Sequence, residues 1–172
     1  MAYDYSKLQN GSDIRGIAIG NNAEAINLDS EAVSRLAKGF LYLLSHNTEK
    51  EPHELCIAVG RDSRISGPDL VRDIVAALIP YGAKVLDSGL SSTPAMFMST
   101  VFEEFKCDGA IMVTASHMPS DRNGMKFFDM DGGLDKGDIA DIITFAESNS
   151  VLGRLSPGTA SEPIKVNLMD VY

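Results

Sequence analysis

A short apolar run that ends in a glycine and opens into a polar loop decides the fold: Leu55-Cys56-Ile57-Ala58-Val59-Gly60, followed by Arg61-Asp62-Ser63-Arg64. Continuous apolar runs of this length are typical of a strand buried on both faces. Three further runs predict strands of the same kind, at Ala83 to Leu86, Ala110 to Val113 and Met125 to Phe128. The last run follows Asn123-Gly124, a dipeptide that predicts a tight turn.

Amphipathic segments fill the intervals between these strands. Helical spacing of apolar residues predicts a helix from Ser30 to Leu44, with Asp29 or Ser30 as its cap. A second helix opens at Ser66-Gly67-Pro68-Asp69, a third is expected from Thr93-Pro94 to about Phe105, and a fourth from Lys136 to Ala146. The alternation predicts an α/β fold, a mostly parallel (mixed) sheet of about four strands between helices.

The composition excludes several classes of function. The 172 residues include 15 Lys and Arg against 24 Asp and Glu, a formal net charge of −9, so neither nucleic acid nor an anionic membrane is an expected partner. Apolar runs are too short to span a membrane, and the start, Met1 to Tyr5, lacks the order of a signal peptide. Cys56 and Cys107 form no C-x-x-C and are predicted to be reduced, half-buried thiols. We expect a cytoplasmic protein.

The regular pattern continues to about residue 150, so we predict one domain over residues 1–150. Residues 151–172 contain Gly153, Pro157-Gly158 and Pro163 and then turn apolar again from Ile164 to Met169. We expect them to form a linker and the start of a second domain that is missing from this chain. A C-terminal tail docked on the first domain is an equally good interpretation of the composition alone.

Functional side chains follow three of the predicted strands, where ligands gather in open α/β sheets. The loop after Val113 is the most suggestive, because Thr114-Ala115-Ser116-His117-Met118-Pro119 places a hydroxyl beside an imidazole. Adjacent residues rarely form a nucleophile–base pair, and no G-x-S-x-G is present, so a hydrolase triad is not supported. Around Asp62, the two arginines Arg61 and Arg64 indicate an ion-pair network that fixes a loop.

Metal-binding patterns fail on inspection. The stretch Asp129-Met130-Asp131-Gly132-Gly133 begins like a calcium loop but continues with Leu134 and Ala140 where glycine and a bidentate glutamate belong, which indicates an acidic turn. His46, His53 and His117 have no zinc-ligand spacing.

Four motifs occur together in order: Gly11-Ser12-Asp13-Ile14-Arg15-Gly16, then residues 60–64, then residues 114–119, then Asn123-Gly124-Met125-Lys126-Phe127. Together they resemble the α-D-phosphohexomutase family, in its phosphoglucomutase/phosphomannomutase branch. Members of this kind have four domains, and the resemblance covers the N-terminal one, domain I. It implies that fold here.

The resemblance also implies a reaction. Ser116 would carry a phosphate and donate it to a sugar monophosphate, forming a hexose 1,6-bisphosphate that returns its other phosphate to the serine. The net result moves a phosphate between the 1- and 6-positions of glucose or mannose. By match, Lys126 would exchange a proton with the sugar hydroxyl and Arg15 would hold the transferring phosphate. His117 would contact the substrate or the phosphoserine, and Asn123 the substrate, with Asn123-Gly124 turning the chain so that Lys126 reaches Ser116.

The resemblance further implies Mg²⁺, bound through the phosphate on Ser116, with its remaining ligands in domains outside this chain. Those domains and a hexose phosphate would be the partners, and residues 1–172 alone would turn over little or no substrate. Thr114 favours glucose or mannose over glucosamine. Met118 replaces the usual asparagine after the histidine and leaves an alternative open, a natural single-domain protein that binds a phosphosugar or a partner without catalysis.

Overall fold

One mixed sheet passes through the middle of the computed structural model, which describes residues 2–172. In this part of the chain the sheet has eight strands, in the order β1-β2-β6-β5-β3-β4-β8, with β7 paired to β6. The strands are β1 Gln9–Asn10, β2 Asp13–Ile17, β3 Cys56–Arg61, β4 Lys84–Leu90, β5 Gly109–Val113, β6 Arg122–Asp129, β7 Gly132–Gly133 and β8 Ile164–Lys165. The helices are α1 Ser30–Thr48, α2 Gly67–Leu78, α3 Thr93–Met98, α4 Lys136–Glu147, α5 Asn149–Leu152 and α6 Leu168–Val171.

The fold-class prediction is confirmed. The four predicted strands are β3, β4, β5 and β6, and they lie together at the centre of the sheet. Strand β3 pairs in parallel with both β4 and β5, and β8 extends the parallel part along β4. Strand β6 is antiparallel to β5 and β2, which makes the sheet mixed. The short strands β1, β2, β7 and β8 carry too few apolar residues for the pattern to reveal them.

Helices cover both faces of the sheet unequally. The larger core lies under α1, α2 and α4, where Phe40 and Phe127 are fully buried with their ring centroids 4.8 Å apart. Helix α1 starts at the predicted cap, because Asp29 accepts a hydrogen bond from the Ala32 amide at 2.8 Å. The smaller core lies on the opposite face under α3 and α6 and includes Met96.

The third helix is shorter than predicted, ending at Met98 instead of about Phe105. The Ser99 hydroxyl donates to the carbonyl of Met96 at 2.6 Å, and the Thr100 hydroxyl donates to that of Phe97 at 2.7 Å. Hydroxyl side chains that bond to nearby carbonyls compete with the helical ladder. The chain continues in turns to the start of β5.

The tight turn predicted at Asn123-Gly124 is wrong, because both residues lie inside β6. Gly124 pairs with Arg15 of β2, and a Cβ at this glycine would lie 2.1 Å from the Ile14 carbonyl oxygen. The glycine therefore serves close strand packing, a tertiary demand that a turn-forming dipeptide cannot reveal.

The last residues pack onto the sheet. Strand β8 pairs with Leu86 and Asp87 of β4, and Lys165 forms an ion pair with Asp87. Leu168 of α6 is fully buried in the smaller core. The predicted division at residue 150 stays a prediction.

Two expectations concern membranes and thiols. Between residues 2 and 172, none of the helices combines the length and apolar character needed to cross a bilayer. Both cysteines are free, as predicted, with Cys56 half-buried and Cys107 fully buried. The fold nevertheless brings the two sulfurs to 3.3 Å, which their separation in sequence does not suggest.

Candidate active site

Ser116 lies on the loop that joins β5 to β6, and we call residues 114–121 the serine loop. The side chain of Ser116 is exposed, and its backbone is in the left-handed region, with φ of 53°. That conformation is uncommon for a residue with a Cβ and requires support from its surroundings. Part of the support is a turn in which the Met118 amide donates to the Ala115 carbonyl at 3.0 Å.

A chain of hydrogen bonds from the neighbouring β3 loop holds the serine backbone. The Thr114 hydroxyl donates to Asp62 Oδ2 at 2.6 Å and accepts from the Ser116 amide at 3.1 Å. Asp62 also accepts from the Arg64 amide at 3.1 Å, while its own amide donates to the Val113 carbonyl. Asp62 is therefore the anchor of this chain.

The Arg64 guanidinium fixes the serine loop through its main chain. It donates to four backbone carbonyls, those of Ser116 at 2.9 Å, Met118 at 2.8 Å, Pro119 at 2.8 Å and Arg122 at 3.1 Å. Its Nε lies 3.7 Å from Asp62 Oδ2. The loop-fixing role predicted for the arginines is thus confirmed for Arg64. Arg61 donates only to the carbonyl of Asp62, at 3.2 Å.

Asp13 brings the two predicted cations together. Its Oδ2 lies 3.2 Å from Arg15 Nη2, and its Oδ1 lies 3.0 Å from Lys126 Nζ. Asp13 and Arg15 are two residues apart on β2, so their side chains share a face, and Lys126 reaches that face from the adjacent β6. Asp13 belongs to the Gly11–Gly16 motif, but the sequence alone assigns it no role. Its i, i+2 spacing from Arg15 on a strand was the available signal.

The Arg15 side chain is only 10% exposed. Burial lowers its pKa, Asp13 opposes that shift, and the nearby charge of Arg64 lowers the pKa further. Since an arginine stays protonated in proteins, Arg15 is a partly dehydrated cation with one carboxylate partner. A cation of this kind interacts strongly with an incoming phosphate.

Arg15 and Lys126, together with Asp13, form a group that we call the cation cluster; it lies beside the serine loop but is not bonded to it. Within the described part of the chain, no hydrogen bond or ion pair joins the side chains of Ser116 or His117 to Arg15 or Lys126. Lys126 is paired with Met112 of β5, four residues before Ser116. Arg64 links the two groups, because it bonds the Ser116 carbonyl and its charge acts on Arg15.

The two residues after Ser116 have different surroundings. The His117 imidazole is exposed and has no hydrogen-bond partner among the described residues, which leaves both nitrogens available to a ligand. Met118 binds the loop through its main chain, donating to Ala115 and accepting from Arg64. The loop is therefore anchored in a way that does not depend on an amide side chain at residue 118.

Asn123 lies below the surface. It is fully buried, its Nδ2 donates to Ser66 Oγ at 2.8 Å, and its Oδ1 accepts from the Gly124 amide at 2.9 Å. These bonds join β6 to the start of α2. They favour a structural role over the predicted substrate contact.

Side chains that could bind a metal do not form a cluster in residues 2–172. No cluster of three or more His, Cys, Asp or Glu side chains there is placed to hold an ion. The predicted acidic turn is confirmed, since Asp129 ends β6, its side chain accepts from the Asp131 amide at 2.8 Å, and the chain returns as β7.

Comparison with known proteins identifies a family with which most of this chain aligns. Residues 6–150 match the family model described as phosphoglucomutase/phosphomannomutase, alpha/beta/alpha domain I. The phosphoglucosamine mutase of Thermoanaerobacter sp. (strain X514) is 37% identical over 123 residues, and that of Staphylococcus saprophyticus is 41% identical over 124 residues. Each alignment covers 71% of this chain and 25% of the relative, so the chain spans about a quarter of the length of these curated relatives.

A solved structure shows the same fold. The crystal structure of a phosphoglucomutase/phosphomannomutase family protein from Burkholderia thailandensis superposes with a TM-score of 0.72 at 23% identity. The match covers 94% of this chain and 33% of that one.

Proposed function

Because this chain belongs to the phosphoglucomutase/phosphomannomutase family, whose domain I it contains, we propose that it supplies the phosphoserine of a hexose phosphomutase. The observation that carries the proposal is the state of Ser116, an exposed hydroxyl on a backbone held at φ of 53° by Asp62, Thr114 and Arg64. A hydroxyl presented in this way is open to phosphoryl groups from outside the domain.

The proposed reaction has two transfers. Phosphoserine 116 gives its phosphoryl group to a free hydroxyl of a hexose monophosphate, so the bond from phosphorus to Oγ breaks and one to the sugar oxygen forms. The resulting hexose 1,6-bisphosphate reverses its orientation in the site and returns its other phosphate to Oγ. Such transfers need an in-line donor and neutralisation of the travelling charge more than covalent assistance. The fixed serine loop contributes the first, and the neighbouring cations contribute the second.

Three side chains on β2 and β6 carry the remaining chemistry in this proposal. Arg15 holds the transferring phosphate, which its low exposure makes favourable. Lys126 exchanges a proton with the sugar hydroxyl. Asp13, bonded to both, keeps the cations in place and stabilises the ammonium when Lys126 has taken a proton.

His117 completes the proposed substrate contacts on this chain. Its imidazole lies beside Ser116 in sequence and is free of internal hydrogen bonds among the described residues. Asn123 has a positioning role in this proposal, because its buried hydrogen bond to Ser66 fixes β6, the strand that carries Lys126.

The sugar is the finer part of the proposal. The Thr114 form of the serine loop favours the 1- and 6-phosphates of glucose or mannose. The names of the aligned relatives, phosphoglucosamine mutase, make glucosamine phosphate a second candidate. With glucose or mannose phosphates, a hexose 1,6-bisphosphate would supply the first phosphate on Ser116. With glucosamine phosphate, a glucosamine bisphosphate would supply it.

The rest of the machinery is proposed to lie in further domains. The aligned relatives are about four times as long as the part they share with this chain. Mg²⁺ in the whole enzyme would be bound by the phosphate on Ser116 and by side chains of those domains, and it would neutralise charge on that phosphate. A cytoplasmic setting belongs to the same proposal.

The first test is intact mass and phosphosite mapping of the protein purified from its own cells. Phosphate on Ser116 is the expected result. A coupled mutase assay of the same protein with glucose, mannose and glucosamine phosphates then identifies the sugar. Ser116→Ala should abolish turnover, whereas Ser120→Ala, another exposed serine of the same loop, should leave it unchanged.

Two results would contradict the proposal. One is an unmodified Ser116 in a protein that binds sugar phosphates without converting them, which would favour the non-catalytic alternative. The other is full mutase turnover by residues 1–172 alone, which would show that further domains are not needed.

A further inference from the structure

The pair Cys56 and Cys107 has no role in the proposed phosphoryl chemistry. Cys56 begins β3, and Cys107 lies two residues before β5 at the same end of the sheet. Their sulfurs are 3.3 Å apart, although the residues are separated by 51 positions. Both belong to the smaller core, on the α3 side of the sheet.

The surroundings make the two thiols unequal. Cys107 is fully buried, and its amide donates to the Ser99 carbonyl at 2.9 Å. Its hydrogen bond to Cys56 and its burial raise the pKa of Cys107 well above the ordinary value. The raised pKa favours the protonated form of Cys107, whose sulfur is hydrogen-bonded to that of Cys56.

Cys56 is the more reactive partner. The hydrogen bond with Cys107 lowers the pKa of Cys56, and burial opposes the shift. Among the nearby charges, Lys84 and Lys50 lower the pKa and Asp108 raises it. Cys56 is also half-buried, within reach of a small oxidant. A half-buried thiol of lowered pKa whose sulfur lies 3.3 Å from a second thiol is the arrangement of oxidation-sensitive cysteine pairs.

We propose that Cys56 and Cys107 form an oxidation site, at which a peroxide converts the two thiols into one disulfide. The Cys56 thiolate attacks one peroxide oxygen, the O–O bond breaks, and hydroxide leaves and takes up a proton to become water. Cys56 is then a sulfenic acid. The Cys107 sulfur attacks the Cys56 sulfur, the S–O bond breaks, and the leaving hydroxyl takes the Cys107 proton as a second water. The two sulfurs together lose two electrons, which the peroxide gains.

The geometry permits the bond with little rearrangement. The sulfurs need to approach by about 1.2 Å to reach the roughly 2.05 Å of a disulfide. Cys56 is held in place on both sides of its peptide, since its amide donates to Asp108 Oδ2 at 2.9 Å and its carbonyl accepts from the Asp108 amide at 2.8 Å. These two bonds hold Asp108, the residue after Cys107, beside the start of β3.

The disulfide would tie the start of β3 to the segment that leads into β5. It would close a loop of 51 residues in the unfolded chain. Closing a loop of that size stabilises the folded state chiefly by restricting the unfolded one, so we expect the melting temperature to rise by roughly 5 °C or more.

The test exposes the folded 172-residue chain to hydrogen peroxide and measures its intact mass, its crosslinked peptides and its melting temperature. The expected result is the loss of two hydrogen atoms, a peptide linking Cys56 to Cys107, a higher melting temperature, and reversal of all three by dithiothreitol. Oxygen additions to Cys56 without a crosslink would overturn the proposal. So would two unchanged thiols or a disulfide between two chains.

Single variants separate the roles of the two thiols. In Cys107→Ala, the sulfenic acid on Cys56 has no partner and should accumulate, so that dimedone labels it; the wild-type chain should be labelled little. In Cys56→Ser, Cys107 should stay reduced, because it is buried and protonated. If Cys107 were oxidised as fast in Cys56→Ser as in the wild type, the assignment of Cys56 as the attacking thiol would be wrong.

Discussion

Strands β3 and β5 are adjacent and parallel, and their two ends use polar groups in opposite ways. At the carboxyl ends, Thr114 and Arg64 bond to the main chain of the serine loop, and Asp62 accepts from the Thr114 hydroxyl; the Ser116 hydroxyl has no hydrogen-bond partner among the described residues. At the amino ends, the buried carboxylate of Asp108 bonds to the Cys56 amide and to Lys50 at 2.7 Å. The first arrangement fixes a backbone so that a side chain stays available. The second pairs a buried carboxylate with a main-chain amide and with a half-exposed lysine.

The largest effect is expected from removing the guanidinium at the carboxyl ends. Arg64→Ala should reduce the free energy of unfolding by about 3 kcal/mol, because four carbonyls lose charge-assisted hydrogen bonds. The matched control is Arg72→Ala, whose exposed ion pair with Asp69 should contribute under about 0.5 kcal/mol. Urea unfolding of both variants measures the difference, and hydrogen exchange should show the loss concentrated in residues 114–121. Equal losses would mean that Arg64 does not hold the loop.

The next effect concerns activity in the whole protein. Asp13→Asn should lower kcat by roughly a hundredfold, because Lys126 and Arg15 lose their shared counter-charge, while stability changes little. Asp69→Asn alters an exposed carboxylate on α2 and should leave kcat unchanged. A mutase assay with purified variants makes the comparison. An unaffected kcat in Asp13→Asn would remove Asp13 from the site.

A moderate effect is expected at the amino ends. Asp108→Ala leaves the buried Cys56 amide without an acceptor and should reduce the free energy of unfolding by about 2 kcal/mol. Lys50→Ala removes a half-exposed partner and should cost under about 0.5 kcal/mol. Thermal and urea unfolding test both, and neither variant should alter kcat. A loss of turnover in Asp108→Ala at a temperature where it is folded would contradict the division of roles between the two ends.

The smallest effect has the opposite sign. Ser116→Gly removes a Cβ from a left-handed residue and should stabilise the chain by up to about 1 kcal/mol while it eliminates the phosphate acceptor. Ser116→Ala keeps the Cβ and should be neutral within about 0.5 kcal/mol, since the hydroxyl makes no hydrogen bond within the described residues. Chemical denaturation resolves the two. A destabilised Ser116→Gly would show that the loop gains rather than loses from this Cβ.

The sequence was most informative where a feature is local. The four central strands follow from apolar runs, and residue type and position limit the α1 cap to Asp29 or Ser30, of which the structure has Asp29. It was least informative where a contact joins distant segments. Arg64 acts on carbonyls, which every residue carries, so no pattern marks its targets. Asn123-Gly124 has the composition of a turn, but the approach of β2 places it in a strand.

The same reasoning applies to the site residues. The roles proposed for Ser116 and His117 depend on the motif in which they are neighbours. The link between Asp13 and Lys126 spans 113 positions and depends on the antiparallel pairing of β2 with β6, which two short motifs do not reveal. The proximity of Cys56 to Cys107 depends in the same way on β3 and β5 being adjacent.

Strand β8 is only two residues long, yet it occupies an outer edge of the sheet. It pairs with two of the seven residues of β4, Leu86 and Asp87, and without it their main-chain groups on this side would be open to other molecules. Exposed edges of this kind recruit strands from other chains and so promote aggregation. Lys165 adds a charge at this edge, where it is bound to Asp87. Loss of β8 would therefore uncover the main-chain groups of β4 at Leu86 and Asp87.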